Sequence, residues 1–142
     1  MTSPTRVAIV RPEALPDPVG FSHGVIASGP ALYVAGQIAP GEAGSLAGVD
    51  FARQFEGALD RVLAVVRAAG AGAQDVARMT VYVTDMASYR RCRPALGATW
   101  RARFGRHYPA MALLGVAELA EPGACVEIDA VVALPATQKE AR

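Results

Sequence analysis

The sequence predicts an α+β fold: six strands and two helices in the order β-β-β-α-β-α-β-β, with both helices on one face of a six-stranded sheet. Three patterns carry the prediction. In DFARQFEGALDRVLAVVRAA, residues 50–69, Phe51, Phe55, Leu59, Val62, Val66 and Ala69 recur every three or four positions, the spacing of one helix face. In ARMTVYVT, 77–84, Met79, Val81 and Val83 alternate with Thr80, Tyr82 and Thr84, the period of a strand. In ACVEIDAVVAL, 124–134, Val126, Ile128, Ala130 and Val132 alternate in the same way with Cys125, Glu127, Asp129 and Val131.

The remaining elements follow in chain order. RVAIV, 6–10, is a short strand stopped by Pro12, and EALPDPVGF, 13–21, with two prolines and a glycine, is a surface loop. HGVIAS, 23–28, and ALYVAGQI, 31–38, are apolar runs flanking Gly29-Pro30, which predicts a hairpin. The three glycines of APGEAGSLAGV, 39–49, make a flexible connection. Asp50 is placed to cap the first helix, and Gly70 to end it in a left-handed conformation. A second helix is predicted from Ser88, as its N-cap, to Phe104. Tyr89, Cys92, Leu96 and Trp100 form its apolar stripe, and Pro94 either bends it or delays its start. A strand at 108–116 follows, with Ala110, Ala112 and Leu114 packing within the subunit and Met111 and Leu113 facing a cleft beside Glu127. Residues 135–142 read as a frayed tail.

Two helices can cover one face of such a sheet, and no predicted element remains for the other. A homo-oligomer that packs sheet on sheet is the natural solution. Composition agrees: 52% of the 142 residues are hydrophobic and 19% charged, more apolar than a typical soluble domain. The length suits one domain, 1–142. A net charge of +1, with the arginines dispersed, argues against a nucleic-acid partner. No run approaches a membrane span, and the first residues lack the basic start and apolar core of a signal peptide, so a soluble cytoplasmic protein is expected.

Candidate chemistry is sparse. Glu127 stands in an otherwise apolar strand, where dry surroundings would raise its pKa and suit it to proton transfer; a solvated face or an arginine partner would make it inert. Asp129 shares its face and would repel it if both were ionised and dry. His23 and His107 have no partner at metal-ligand spacing, and Cys92 and Cys125 form no CxxC, so neither a metal nor a cofactor is predicted. Ser22 and Ser28 lack a nucleophile-elbow context, and no phosphate loop is spelled by the glycines. Arg90, Arg91, Arg93, Arg101, Arg103 and Arg106 read most simply as a solvated basic face.

Four segments taken together say more: LYVAGQIAP (32–40), DFARQFEGALDRVLAVVRAAGAGAQDVARMTVYVTDMASY (50–89), YPAM (108–111) and GACVEIDAVVAL (123–134). In this order they resemble the RidA or YjgF-like family of reactive-intermediate imine/enamine deaminases, over roughly residues 20–134. The resemblance implies a chorismate-mutase-like fold, a homotrimer built round a central barrel, and three small-molecule clefts between subunits. It further implies that an arginine of the penultimate strand clamps a 2-imino acid carboxylate, and that a last-strand glutamate directs water at the C=N bond.

Residue by residue, the match is partial. Glu127 takes the place of the glutamate, and Gly36 that of the glycine whose small size lets a ligand approach the backbone. The family's tyrosine before the second strand falls at Phe21, without a hydroxyl. The family's P-A-R reads Pro109-Ala110-Met111, and Leu113 stands where a small polar residue or cysteine is usual. Methionine offers no donor, so a bidentate carboxylate clamp is lost from this strand, at a cost of a factor of ~100 or more in positioning. A Met–Leu wall favours an apolar or uncharged ligand. Arg93, or an arginine of a neighbouring subunit, is the candidate to replace the clamp from another direction. The expected function is therefore a hydrolase for an atypical, less carboxylate-dependent imine or enamine. The alternative is a non-catalytic trimeric small-molecule-binding or chaperone-like member.

Overall fold

The computed structural model describes residues 6–41 and 45–136, and the elements come in the expected order. Strands β1 (Val7–Val10), β2 (Gly24–Ala27) and β3 (Ala31–Gln37) precede α1 (Phe51–Ala68). A single 3-10 turn, Ala73–Asp75, leads into β4 (Val76–Val83), followed by α2 (Met86–Phe104), β5 (Ala110–Gly115) and β6 (Val126–Ala133). Two helices packed on a mixed sheet give the α+β class predicted. Positions 42–44 of the glycine-rich connection and 137–142 of the tail lie outside the described residues.

Strand pairing departs from one continuous sheet. β3, β6, β4 and β5 form a four-stranded sheet in that order, parallel only between β4 and β5, while β1 and β2 form their own antiparallel ribbon. A parallel bridge between Ser22 and Ala110 ties the start of β2 to the edge strand β5. The hairpin expected at Gly29-Pro30 does not form, because β2 pairs with β1 and β3 with β6. Gly29 adopts φ +98°, and the Pro30 carbonyl accepts from the Leu134 N–H at 2.8 Å, so the chain leaves the ribbon and runs along β6.

Helix α1 is built as its sequence predicts. Asp50 caps it by accepting from the Arg53 N–H at 2.9 Å, Gly70 beyond its end has φ +80°, and all six stripe residues are buried. Helix α2 starts earlier than expected. Its N-cap is Asp85, whose carboxylate accepts from the Ser88 hydroxyl at 2.6 Å and the Ser88 N–H at 3.1 Å. Those bonds hold the Asp85 carboxyl below its ordinary range. Pro94 lies inside α2 rather than at its start.

α1 lies against β3 and β6, with Phe55, Leu59, Val62 and Val66 meeting Met79, Val81, Ile128 and Val132 in the core. α2 packs on α1, joined to it by Arg103, which donates to Glu56 at 3.0 Å and to Asp60 at 2.5 Å. On the opposite face of the sheet, Val7 of the ribbon covers Ala77 and Ala133 at one end. Beyond it that face is open: Tyr33, in register with Val131, is 78% exposed, and Leu114, in register with Tyr82, is 48% exposed.

Candidate functional site

The helix-free face carries the acidic candidates. Glu127 projects from β6 opposite Tyr82 of β4, and on its other side it meets Gly36 of β3. The β3–β6 register shifts between Val34 and Gln37, so the ladder is interrupted at Ala35 and Gly36. A Cβ at Gly36 would run into the Glu127 carboxylate, so the glycine is what makes room for the acid. Asp129 is engaged elsewhere. The Tyr82 hydroxyl donates to its Oδ2 at 3.0 Å, and this bond to a carboxylate pushes the Tyr82 pKa up, keeping the proton in place. Among the described residues Glu127 has neither a hydrogen bond nor an ion-pair partner, and it is half-buried.

Met111 and Leu113 belong to a different surface. In the parallel register with β4 they pair with Met79 and Val81, whose side chains face the helices. They therefore lie on the opposite side of the sheet from Glu127, and the expectation that they sit beside it within one subunit is corrected. Ala112 and Leu114, expected to pack within the subunit, share the helix-free side with Tyr82. The error is one of phase: alternation tells which residues share a face within a strand, and only the pairing register tells which face that is.

Met111 and Leu113 form one wall of a cleft of ≈470 Å³ between β5 and α2. Tyr89, Arg93, Gly97 and Arg101 of α2 form the facing wall, and Val19 and Gly20 stand at the mouth. The floor is aromatic: Trp100 stacks on Phe104 at 4.0 Å and on Tyr108 at 5.7 Å, and its indole N–H donates to the His107 carbonyl at 3.1 Å. The guanidinium of Arg93 lies 5.3 Å from the centre of the Tyr89 ring. Arg93, Met111 and Leu113 are thus brought together as predicted site residues. Phe21 falls outside this cleft; it packs edge-on against His23 at 5.2 Å and lines a smaller hollow beside His107.

The other candidates have structural partners. His23 Nε2 is 2.9 Å from the Pro16 carbonyl and His107 Nε2 is 2.8 Å from that of Val76. The Ser22 hydroxyl donates to the Tyr108 carbonyl. Burial pushes the Cys125 thiol up, away from thiolate reactivity. No group of three or more His, Cys, Asp and Glu side chains among the described residues is placed to hold a metal.

Three features escaped the reading of the sequence. Trp100 and Tyr89 read as stripe residues of a helix, yet they also line the cleft, because α2 rests on α1 rather than on β5. Gly97, inside that helix, was the available signal, since an interior glycine needs a reason. Gln54 is buried in α1 and donates to the Val49 and Gly123 carbonyls, both at 3.0 Å, while accepting from the Cys125 N–H at 2.8 Å. It fixes the entry of the chain into β6, and so the approach to Glu127.

Comparison with known proteins follows the same lines. The family profile described as "Endoribonuclease L-PSP" matches residues 12–134. The chain is similar to the solved structure of YyfB from Yersinia pestis, described as a protein of unknown function of the conserved Rid family. The two share 32% identity with a TM-score of 0.76, covering 91% of this chain and 99% of that one. It is 28% identical over 124 residues to a RutC family protein of Pyrococcus horikoshii, covering 87% of this chain and 94% of that protein. A 2-iminobutanoate/2-iminopropanoate deaminase of Dermatophagoides farinae is 27% identical over 133 residues, 93% of this chain and 98% of its own. No helix among the described residues is long and apolar enough to cross a membrane.

Proposed function

The chain belongs to the Endoribonuclease L-PSP family, the family of the Rid, RutC and YjgF-like proteins, and from that premise we propose that it hydrolyses an imine or enamine to a carbonyl compound and ammonia. The observation that carries this reading is the Gly36–Glu127 pair: a carboxylate lodged against the one position of β3 without a side chain, with no ion-pair partner among the described residues of its own chain. Glu127 takes a proton from water as the water oxygen attacks the C=N carbon. The proton passes to nitrogen, giving a carbinolamine; the carboxylate then takes the carbinolamine's hydroxyl proton and returns it to nitrogen, so that the C–N bond breaks and ammonia leaves as the carbonyl forms. An enamine first takes a proton at carbon and enters as the imine.

The reacting site spans two copies of the chain. Glu127 and the Met111–Leu113 wall lie on opposite faces of one sheet, so a cleft with both requires the wall of one subunit and the helix-free face of another. A homotrimer would cover Tyr33 and Leu114 at the same time, and its expected mass by light scattering is three times the 14.8 kDa of one chain. With Met111 in place of a strand-borne donor, the substrate is bulkier and more apolar than a small 2-imino acid.

Ammonia release from a panel of imines generated in solution tests the reading. Wild type turns over at least one bulky apolar member, and Glu127→Ala loses roughly 100-fold or more of that rate. Equal rates for the two proteins across the panel would discard it. The Met111–Leu113 wall also favours a second reading, a binding protein without turnover, for which apolar metabolites raise the melting temperature and none is consumed.

A further inference from the structure

We infer that the cleft between α2 and β5 binds an amphipathic anion, its anionic group held by Arg93 and Arg101 of the helix wall and its apolar body by Met111 and Leu113 of the strand wall. This rests on the reading of that cleft as the ligand site and names the class of ligand it takes.

Four observations converge on it. Arg93, Gly97 and Arg101 are spaced at four-residue intervals, so one face of α2 presents two guanidinium groups with a gap between them. Neither guanidinium forms an ion pair or hydrogen bond among the described residues. Two other arginines of α2 are engaged within the chain: Arg103 bridges Glu56 and Asp60, and Arg91 donates to Ser88 at 3.0 Å. No aspartate or glutamate lines the cleft, so nothing within the chain balances these two charges there. Finally, a Cβ added to Gly97 would stand 3.2 Å from Arg101 Nη1. The Arg101 guanidinium therefore lies back over Gly97, where a bulky side chain would have to push it aside. Glycine is the poorest helix former after proline, and in the interior of α2 it has no turn to make. Seating Arg101 is a reason for it.

Arg93 is oriented as well, by the Tyr89 ring beneath it. Facing these cations, Met111 and Leu113 offer no polar atom except a thioether, so the two walls sort a ligand by its two ends. The clamp missing from β5 is thus supplied, in charge though not in geometry, from the helix opposite. The anchored group sits across the cleft from the strand, which leaves room beside Met111 for a side chain that a strand-borne arginine would exclude.

The test uses 3-phenylpropanoate and its neutral amide as a matched pair, with binding read by titration calorimetry on the intact oligomer. Wild type binds the carboxylate at least about tenfold tighter than the amide, and added salt erodes the difference. In Arg93→Gln/Arg101→Gln the two ligands bind within about twofold of one another. Arg93→Lys/Arg101→Lys retains part of the preference, since it keeps charge but loses the planar fork. Gly97→Leu weakens carboxylate binding as Arg101→Gln does. A wild type without preference, or a preference that survives the double glutamine variant, overturns the inference. If Glu127→Ala abolishes turnover while wild type shows no preference, the deaminase reading stands and the anion site falls. An arginine-dependent preference without turnover of any imine gives the reverse.

Discussion

Gly36 and Glu127 occupy one space on the sheet: the carboxylate of Glu127 stands where a side chain at position 36 would begin. The two residues come from β3 and β6, at the point where the ladder between them slips. The arrangement makes the glycine a condition for the acid's position.

Gly36→Ala is accordingly expected to displace Glu127 and to lower deamination nearly as far as Glu127→Ala does, with a loss of stability of about 1–3 kcal/mol. The coupling is testable by a double-mutant cycle. In Gly36→Ala/Glu127→Ala the collision is absent, so the stability lost in Gly36→Ala is largely regained while activity is not. Chemical denaturation of the four proteins measures it, and additive losses would show that the two side chains do not compete for space.

Met111→Arg restores a bidentate donor to β5, in the cleft and opposite Gly97. Its expected effect is a rise of at least about tenfold in kcat/KM for iminopropanoate-type substrates, together with a fall for bulky ones. Steady-state kinetics on one small and one bulky imine decides it. An unchanged ratio would mean that residue 111 does not select the substrate.

Gln54 joins the start of α1 to the entry of β6 through three hydrogen bonds, all from one buried side chain. Gln54→Leu keeps the volume but leaves two carbonyls and one N–H unpaired. The expected loss is about 2–4 kcal/mol, measured by urea unfolding, with catalysis lowered through the displaced approach to Glu127.

Where the sequence was legible, the reason is local. The stripe of α1, its Asp50 cap and the alternation of β4 and β6 are set by neighbours a few residues away. Asp85 and Ser88 are both good caps three residues apart, and the apolar pattern does not separate them. The Gly29-Pro30 signal for a hairpin was outweighed by a distant partner, β6, which buries Val34 against the core. The same cause hid the relation of Met111 to Glu127. Each strand's alternation is plain, but their relative phase depends on the registers Met79–Met111 and Tyr82–Glu127, which no local pattern contains. Glu127 stood out by its place in an apolar strand and Gly36 only through the family resemblance, while their contact depends on the β3–β6 register, which neither contains.

Acid stability depends in part on the bridge between α1 and α2. The hydrogen bond from Arg103 holds the Asp60 carboxyl below its ordinary range, with the attraction of the Arg103 charge adding to it. A carboxyl lowered in the folded state stabilises the fold only while ionised. Its contribution is complete above the ordinary carboxylate range and is lost as pH falls through the lowered folded value. Both acids of the bridge are half exposed, so water screens it and the contribution is about 1 kcal/mol. Arg103→Gln is expected to lower the melting temperature at neutral pH and to leave it unchanged at the lowest pH at which the protein folds. Melting curves from neutral to acid pH would show the two proteins converging, and parallel curves would exclude the bridge as the cause.

The proposed sharing of the cleft between subunits predicts an outcome that one chain alone cannot produce. A wall variant, Gly97→Trp, fills the cleft on its own subunit, and Glu127→Gln removes the acid that its subunit lends to a neighbour. Each is expected to be nearly inactive as a pure oligomer. Refolded together in equal amounts, the two form mixed trimers, in which an intact wall of one meets an intact acid of the other in about a quarter of the clefts. Activity should therefore return to roughly a quarter of wild type, measured per cleft as ammonia release. Were wall and acid to work within one subunit, no mixture would exceed the sum of its inactive parts, since no chain in it carries both.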